Sequence, residues 1–268
     1  DYYEEILNSI SKSPYSDIDT FVLDHDNKML EKQLIYYTNP PDPIRVVGFN
    51  YTWFHVYDEA DKSKKLKKML DYTDANLADQ ESRDIIHNRC KTFLTGDLSY
   101  IDKNEINSHS YFSQDFKKIV AFEPDEKNVK RLNAFINNKI ENVVVIQKAT
   151  GDKNGKVAFL NNGNMFSKTV DVKDSSDELS VDIVRLDNYI DYHPTLIKMD
   201  IEGAELDSLI GATQIIKTLK PKLAICIYHM PFDFYEIPKF LKSLVPEYKF
   251  KVRQHESGFC ETVLYAYI

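Results

Sequence analysis

The chain has 268 residues, 43% of them hydrophobic and 28% charged, with a formal net charge of −8. That size suits one sizeable domain plus an accessory segment, or two small domains, and the composition is that of an ordinary soluble globular protein. The acidic balance, with Lys and Arg scattered rather than gathered on one element, argues against a nucleic-acid partner, and no apolar run is long enough to span a bilayer. Cys90, Cys226 and Cys260 are odd in number and lack CxxC spacing. They read as buried thiols in a reducing cytoplasm rather than a disulfide frame or a zinc site. The start, DYYEEILNSI, has no basic-then-apolar signal character, so a cytoplasmic protein is expected.

The first forty residues mix acidic, helix-like turns, and the run Pro40-Pro41-Asp42-Pro43 breaks any helix and reads as a connector. Ile44 to Tyr57 is rich in β-branched and aromatic residues and predicts one or two strands. KSKKLKKMLDYTDANLADQESRDIIHNRCKTFL predicts helix in two pieces, with Asp79 and Ser82 as capping residues before the second. From Lys117 strands alternate with helices. KKIVAFEPD predicts a buried strand, EKNVKRLNAFINN an amphipathic helix with Val129, Leu132 and Ile136 on one face, and NVVVIQKA a strand. GDKNGKVAFL predicts a hairpin turning at Asn154 and Gly155, and SVDIVRLDNYI a strand leading to a short helix. TLIKMD, a helix over ELDSLIGATQIIKTL, a strand over KLAICIYHM ending at His229, and a helix over EIPKFLKSLVPEY follow. FKVRQH and ETVLYAYI predict a closing antiparallel hairpin. The fold class is α/β: a doubly wound, Rossmann-like sheet with a C-terminal antiparallel hairpin, plus an N-terminal, mostly helical accessory region. The expected division is residues 1–98 for the accessory region and 99–268 for the second domain.

Chemistry concentrates at two strand ends. In LIKMDIEGAE, Asp200, Glu202 and Glu205 follow an apolar strand, and three carboxylates in six residues are costly there unless they bind something. The carboxyl edge of an open α/β sheet is where ligands sit. These carboxylates could orient a bound cation, meet a cofactor or act as a base; the competing reading is a solvated helix start, which favours acidic side chains. Glu123, just past IVAF, is placed to accept hydrogen bonds from both hydroxyls of a ribose, as against merely capping the next helix. Pro124 and Asp125 shape that turn. Asp152, in ATGD beginning at Ala149, is either an adenine contact or a plain turn residue. His229 closes its strand at the same edge as Asp200 and can take a proton near neutral pH, although a lone histidine is more often a structural hydrogen-bonder. Arg253 and His255 are weaker candidates for acceptor contacts, and His193 before Pro194 reads as a surface turn residue. HExxH, GxSxG and GxxxxGK[ST] are absent, which leaves zinc hydrolysis, α/β-hydrolase chemistry and P-loop phosphoryl transfer unsupported.

AFEPDEKNVKRL, NVVVIQKATGDKNGKVAF, VDIVRLDNYI, LIKMDIEGAELDSLIGA and ETVLYA, in this order over Lys117 to Ile268, resemble the FkbM-type methyltransferases. NLADQESRDIIHNRCKTFLTGD is similar to the stretch preceding the catalytic domain in some members. The resemblance implies a Rossmann-like fold, S-adenosylmethionine as methyl donor and a small-molecule or glycan hydroxyl as acceptor. By it the cofactor-binding residues are Glu123, Pro124, Asp125, Ala149, Asp152 and Asp200, the catalytic residues are His229, Glu202 and Asp200, and no resident metal is expected. The function expected is an O-methyltransferase acting on a sugar or glycan hydroxyl; the alternative is a catalytically degenerate, Rossmann-like binding module.

One departure stands out. The family places a first strand and a glycine-containing loop shortly before AFEP, whereas this chain has no glycine between Gly96 and Gly151. Two explanations fit. Tyr100-Ile101-Asp102 is a decayed first strand in a weak or inactive relative, or a strand and loop of the natural protein are missing from this sequence between about Phe112 and Lys117. The second is favoured, because a sheet without its central strand leaves a void that packed interiors do not tolerate.

Overall fold

The computed structural model describes residues 59–95, 100, 104, 117–136, 140–159, 179–230, 232–255 and 261–268. The strands expected over 44–57 and the Pro40–Pro43 connector lie outside those residues, as do 101–103 and 105–116, on which both explanations of the glycine-free interval turn. The described residues form a mixed α/β structure, with parallel and antiparallel strands, divided into two compact units.

The first unit holds helices α1 (Glu59–Asn76) and α2 (Gln80–Thr95), the segment Met230–Pro238 and the span Lys249–Leu264. In α1 the buried positions Leu66, Leu70 and Thr73 repeat at helical spacing, and Leu77 just past its end extends the stripe. In α2 they are Ser82, Ile85, Ile86, Arg89 and Cys90. Asp79 caps α2, its Oδ1 accepting the Ser82 N–H at 3.0 Å. Arg83 reaches back to the end of α1, donating to the carbonyls of Asp74 (3.1 Å) and Leu77 (2.9 Å) that the helix leaves unpaired. Strand β8 (Lys249–Gln254) packs on α2, and the Ser82 hydroxyl accepts the Val252 N–H at 2.9 Å. Its hydrogen-bonded neighbour begins at Thr262, with the His255 N–H donating to the Glu261 carbonyl at 2.9 Å. So short a connection joins only antiparallel strands, in keeping with the expected hairpin.

The second unit carries the strand ends of interest. Strand β1 (Ile119–Phe122) pairs in parallel with β2 (Val143–Ile146), with helix α3 (Glu126–Ile136) between them. Strand β5 (Leu179–Val184) has β3 (Ala149–Thr150) parallel on one side and β4 (Gly155–Phe159) antiparallel on the other. The expected hairpin over GDKNGKVAFL therefore does not form. Residues 151–154 do turn the chain, but the arms of that turn are separated by β5, which Asn154 ties down by accepting the Arg185 N–H at 3.0 Å. Strand β6 (Leu196–Met199) pairs in parallel with β7 (Lys222–Cys226), Met199 opposite Ile225, so the chain leaves both strands at one edge. Between them lie two short helices, α4 (Glu205–Ile210) and α5 (Thr213–Leu219), where one helix was expected. The break falls at Gly211-Ala212, where the backbone of Gly211 lies against that of Gly151. Leu209, Ala212, Ile215 and Ile216 from the helices and Leu223, Ile225, Cys226 and Ile227 from the β7 segment are all buried and form the core. Helix α6 (Asp233–Leu244) supplies Leu241, and Tyr248 is tied by its hydroxyl to the Pro221 carbonyl at 2.6 Å.

Candidate active site

The segment after β6 turns sharply through Ile201, Glu202 and Gly203. Gly203 (φ 98°) takes a backbone conformation that other residues rarely adopt, and Glu202 (φ 58°) is held in the left-handed region beside it. A non-glycine residue there costs on the order of 1–2 kcal/mol, a strain seen where a side chain must be aimed. Here the turn points the Glu202 carboxylate at His229, with Oε2 3.4 Å from Nε2.

His229, three residues past β7, sits among three carboxylates. Its Nδ1 lies 2.8 Å from Glu205 Oε1, and its Nε2 lies 3.6 Å from Asp200 Oδ1. Glu205 is fully buried, and its Oε1 also accepts the Ile201 N–H at 2.9 Å. That second bond marks Oε1 as an acceptor, so Nδ1 carries the proton and the Nε2 lone pair faces Asp200 and Glu202 in the neutral ring. Asp200 in turn accepts the Tyr228 hydroxyl at 2.9 Å. Two buried atoms of this group, His229 Nε2 and Glu205 Oε2, have no hydrogen-bond partner. Burial of the ring disfavours its charged form, but the Glu205 hydrogen bond and the charges of Glu205, Glu202 and Asp200 outweigh it and raise the His229 pKa above its ordinary value.

At the end of β1, Glu123 is half-buried, and its Oε1 accepts the Asp125 N–H at 2.8 Å. Asp125 itself accepts the Asn128 N–H at 2.9 Å, which makes it the cap of α3 and leaves Glu123 free of that duty. Pro124 is half-buried between them. Phe122 meets Tyr189 edge-on, ring centroids 5.0 Å apart, and Tyr189 stacks on Tyr192, over which Lys118 Nζ sits 4.6 Å from the centroid.

Ala149 is half-buried in β3, opposite Ile183, and Asp152 is exposed just beyond it. That turn is pinned from three directions. Arg185 donates to the Asp152 carbonyl at 2.6 Å, the Gly151 N–H donates to the Val184 carbonyl at 3.0 Å, and the hydroxyls of Thr150 and Ser208 share a hydrogen bond of 2.8 Å. Burial, with the neighbouring Asp152 charge, raises the pKa of Asp207.

Three strand ends of one unit thus present the sequence-derived candidates: Glu123 after β1, Ala149 and Asp152 around β3, and Asp200, Glu202, Glu205 and His229 after β6 and β7. The last three carboxylates all meet His229. Sequence reasoning missed Tyr228, whose place beside His229 at the end of an apolar strand was the available signal, and Arg185, which nothing local marks. Arg253 is not presented to an acceptor. Its guanidinium, nearly fully buried, pairs with Asp79 at 2.7 Å and Glu81 at 3.0 Å in the first unit. His255 is half-buried and His193 is exposed at a left-handed turn (φ 47°). Asp200 and Glu205 with His229 also offer ligand atoms within 4.8 Å of one another, although no metal-ligand spacing was visible in sequence.

The sequence pattern of the methyltransferase FkbM domain matches residues 99–252, more than half of the chain. The chain belongs to the FkbM methyltransferase family. A crystal structure of methyltransferase FkbM from Methylobacillus flagellatus superimposes on this FkbM-family chain with a TM-score of 0.63 at 24% identity. The match covers 78% of this chain and 60% of that one, so this chain spans about 60% of the length of the solved relative. At that identity the likeness speaks for the fold. No curated protein matches the chain. Among the described residues no helix is long and apolar enough to cross a membrane.

Proposed function

We propose that the chain is an S-adenosylmethionine-dependent O-methyltransferase acting on a hydroxyl of a sugar or glycan-type acceptor in the cytoplasm. The observation that carries the reading is the buried imidazole of His229, its Nε2 unpartnered and turned toward Asp200 and Glu202 at the carboxyl edge of two parallel strands. Buried polar atoms in native proteins are almost always paired, so an orphan at a ligand edge is fitted to a ligand. The buried cysteines Cys90 and Cys226 suit a reducing compartment.

Glu123 fits the ribose of the methyl donor: a half-buried carboxylate at a strand end that has been relieved of helix capping. Ala149 and Asp152, on a turn braced by Arg185, fit the adenine side, and Asp200 fits the amino-acid end and the reaction centre. When bound, S-adenosylmethionine supplies an electrophilic methyl group on a sulfonium. The protein's task is then to hold an acceptor hydroxyl in line with it, and such positioning can supply about 7–11 kcal/mol of a barrier. A sugar hydroxyl is a weak acid, and His229, Glu202 and Asp200 are the groups placed to help it lose its proton. Residues 99–268 form the catalytic domain in this reading, a doubly wound sheet that includes the β1–β2 and β6–β7 pairs, and residues 1–98 an accessory region.

Incubation with S-adenosylmethionine labelled in the methyl group, with a panel of mono- and oligosaccharide acceptors, tests the reading. Label should enter an acid-stable, base-stable ether on the acceptor, and His229→Ala should abolish it. Binding of the cofactor without transfer to any hydroxyl acceptor would favour the degenerate binding module, which the glycine-free stretch between Gly96 and Gly151 motivates.

A further inference from the structure

The group around His229 carries more negative charge than the protein neutralises. Asp200, Glu202 and Glu205 bring three carboxylates to one imidazole, which can offset the charge of only one of them. Among the described residues no lysine or arginine pairs with any of the three. Water reaches Glu202, which is half-exposed, and part of Asp200, but not Glu205, which is fully buried, and hardly His229, whose side chain is only 9% exposed. An uncompensated buried charge is among the costliest features a fold can carry.

The distances point the same way. His229 Nε2 lies 3.4 Å from Glu202 Oε2 and 3.6 Å from Asp200 Oδ1, longer than good hydrogen bonds, and Nε2 has no hydrogen-bond partner. Two ligands held at about 2.1 Å in a tetrahedral shell stand about 3.4 Å apart, which the two Nε2 distances match; a bound cation would draw the Asp200 and Glu202 carboxylates together around it. Glu205 completes the pattern from behind. It takes the Nδ1 proton at 2.8 Å and is fixed by the Ile201 N–H, the arrangement in which a carboxylate orients a metal-ligating histidine. Tyr228 steadies Asp200 in the same way, its hydroxyl 2.9 Å from Oδ1.

We infer that Asp200, Glu202 and His229 bind one divalent cation through Oδ1, Oε2 and Nε2, with Glu205 as the carboxylate that orients His229. One imidazole with two carboxylates suits a cation of the manganese or zinc type better than calcium. Three protein ligands leave open coordination positions, and the acceptor hydroxyl is the natural occupant, since a cation makes a bound hydroxyl more acidic. For that role the inference rests on the methyl-transfer reading; for the binding itself it does not. It also explains why Glu202 tolerates a left-handed backbone: the turn brings the third ligand in.

Calorimetric titration of the full chain with Mn²⁺ alone, with Mn²⁺ electron paramagnetic resonance as a second readout, tests it. One ion per chain should bind, and Glu202→Gln and His229→Ala should each weaken it at least tenfold. Glu202 is half-exposed, so its variant should fold even if His229→Ala, which strands the Glu205 charge, does not. Zn²⁺ should compete for the same site. No stoichiometric ion at millimolar Mn²⁺ or Zn²⁺, or binding unchanged in both variants, overturns the inference. A parallel titration with S-adenosylhomocysteine separates the two claims. Cofactor without metal defeats the cation site alone, and metal without cofactor defeats the methyl-transfer reading alone.

Discussion

Gly211→Ala sets two effects of opposite sign against each other. Gly211 has ordinary helical dihedrals (φ −67°, ψ −12°), so alanine should fit its backbone and gain about 0.5–1 kcal/mol from lost freedom in the unfolded chain. Against this, the new Cβ would stand 2.0 Å from the Gly151 carbonyl oxygen and 3.0 Å from its carbon, and 3.4 Å from Arg185 Cα. All three are backbone atoms, so no side-chain rotation relieves the contact. The two segments must part by about 1 Å or more, and overpacking of this kind costs about 1–3 kcal/mol. The Asp187 N–H bonded to the Gly211 carbonyl at 2.9 Å and the Gly151 N–H bonded to Val184 would be dragged along. Net destabilisation of about 1 kcal/mol should lower Tm by roughly 3 °C in a chain of this size. Because Gly151 leads into Asp152, S-adenosylhomocysteine should also bind more weakly. Gly151→Ala is the control: its Cβ meets the flexible tip of Ile183 at 2.4 Å, and the effect should be smaller. Thermal unfolding by circular dichroism with cofactor titration reads both. A Gly211→Ala protein as stable as the parent would refute the close approach of the two segments.

Asp79 binds Arg253 and caps α2; burial opposes its ionisation, but hydrogen bonds from Arg253 and Ser82 overcome it and hold its pKa well below the ordinary 3.8. A depressed carboxylate contributes stability that is fully present above the unfolded pKa and is lost as pH falls through the folded one. Asp79→Asn should therefore destabilise the chain at pH 7 and flatten the acid limb of a stability-versus-pH curve below about pH 4. Asp79→Ala, which removes a cap and one partner of a buried guanidinium while Glu81 remains, should cost about 3 kcal/mol in urea unfolding. A wild-type-like midpoint for either variant at pH 7 would contradict this. Cys90 is buried, which raises its thiol pKa strongly, and Cys226 is buried too. In native protein both should resist alkylation at pH 8 and react once urea is added, as mass mapping of the labelled peptides would show.

The parts of the fold legible in sequence are those that rest on local pattern. Apolar strands with acidic ends put Glu123 and Asp200 where the structure has them, and Asp79 was readable as a cap because capping is a three-residue event. Contacts between distant segments left no local trace. The Gly151–Gly211 approach, which splits the expected helix into α4 and α5, depends on residues sixty positions apart. The DKNG turn was read as a hairpin because turn chemistry does not say which strand a new arm will choose. Arg253 looked like an acceptor contact from its place in a hairpin, but its partners Asp79 and Glu81 lie far away in sequence and remove it from solvent. Within the candidate site the residue types were legible one by one. That Glu205 would turn inward to hold Nδ1 while Glu202 turned outward toward Nε2 follows from the left-handed turn between them, which Gly203 suggests but does not specify.

Binding of S-adenosylhomocysteine to the full chain, measured by calorimetry for the parent and for Glu123→Ala, tests the central claim most directly. One site per chain is predicted. Removing a charged acceptor of two ribose hydroxyl hydrogen bonds should cost about 2 kcal/mol or more, roughly a 30-fold loss of affinity. No binding by the parent, or equal binding by Glu123→Ala, would contradict the account.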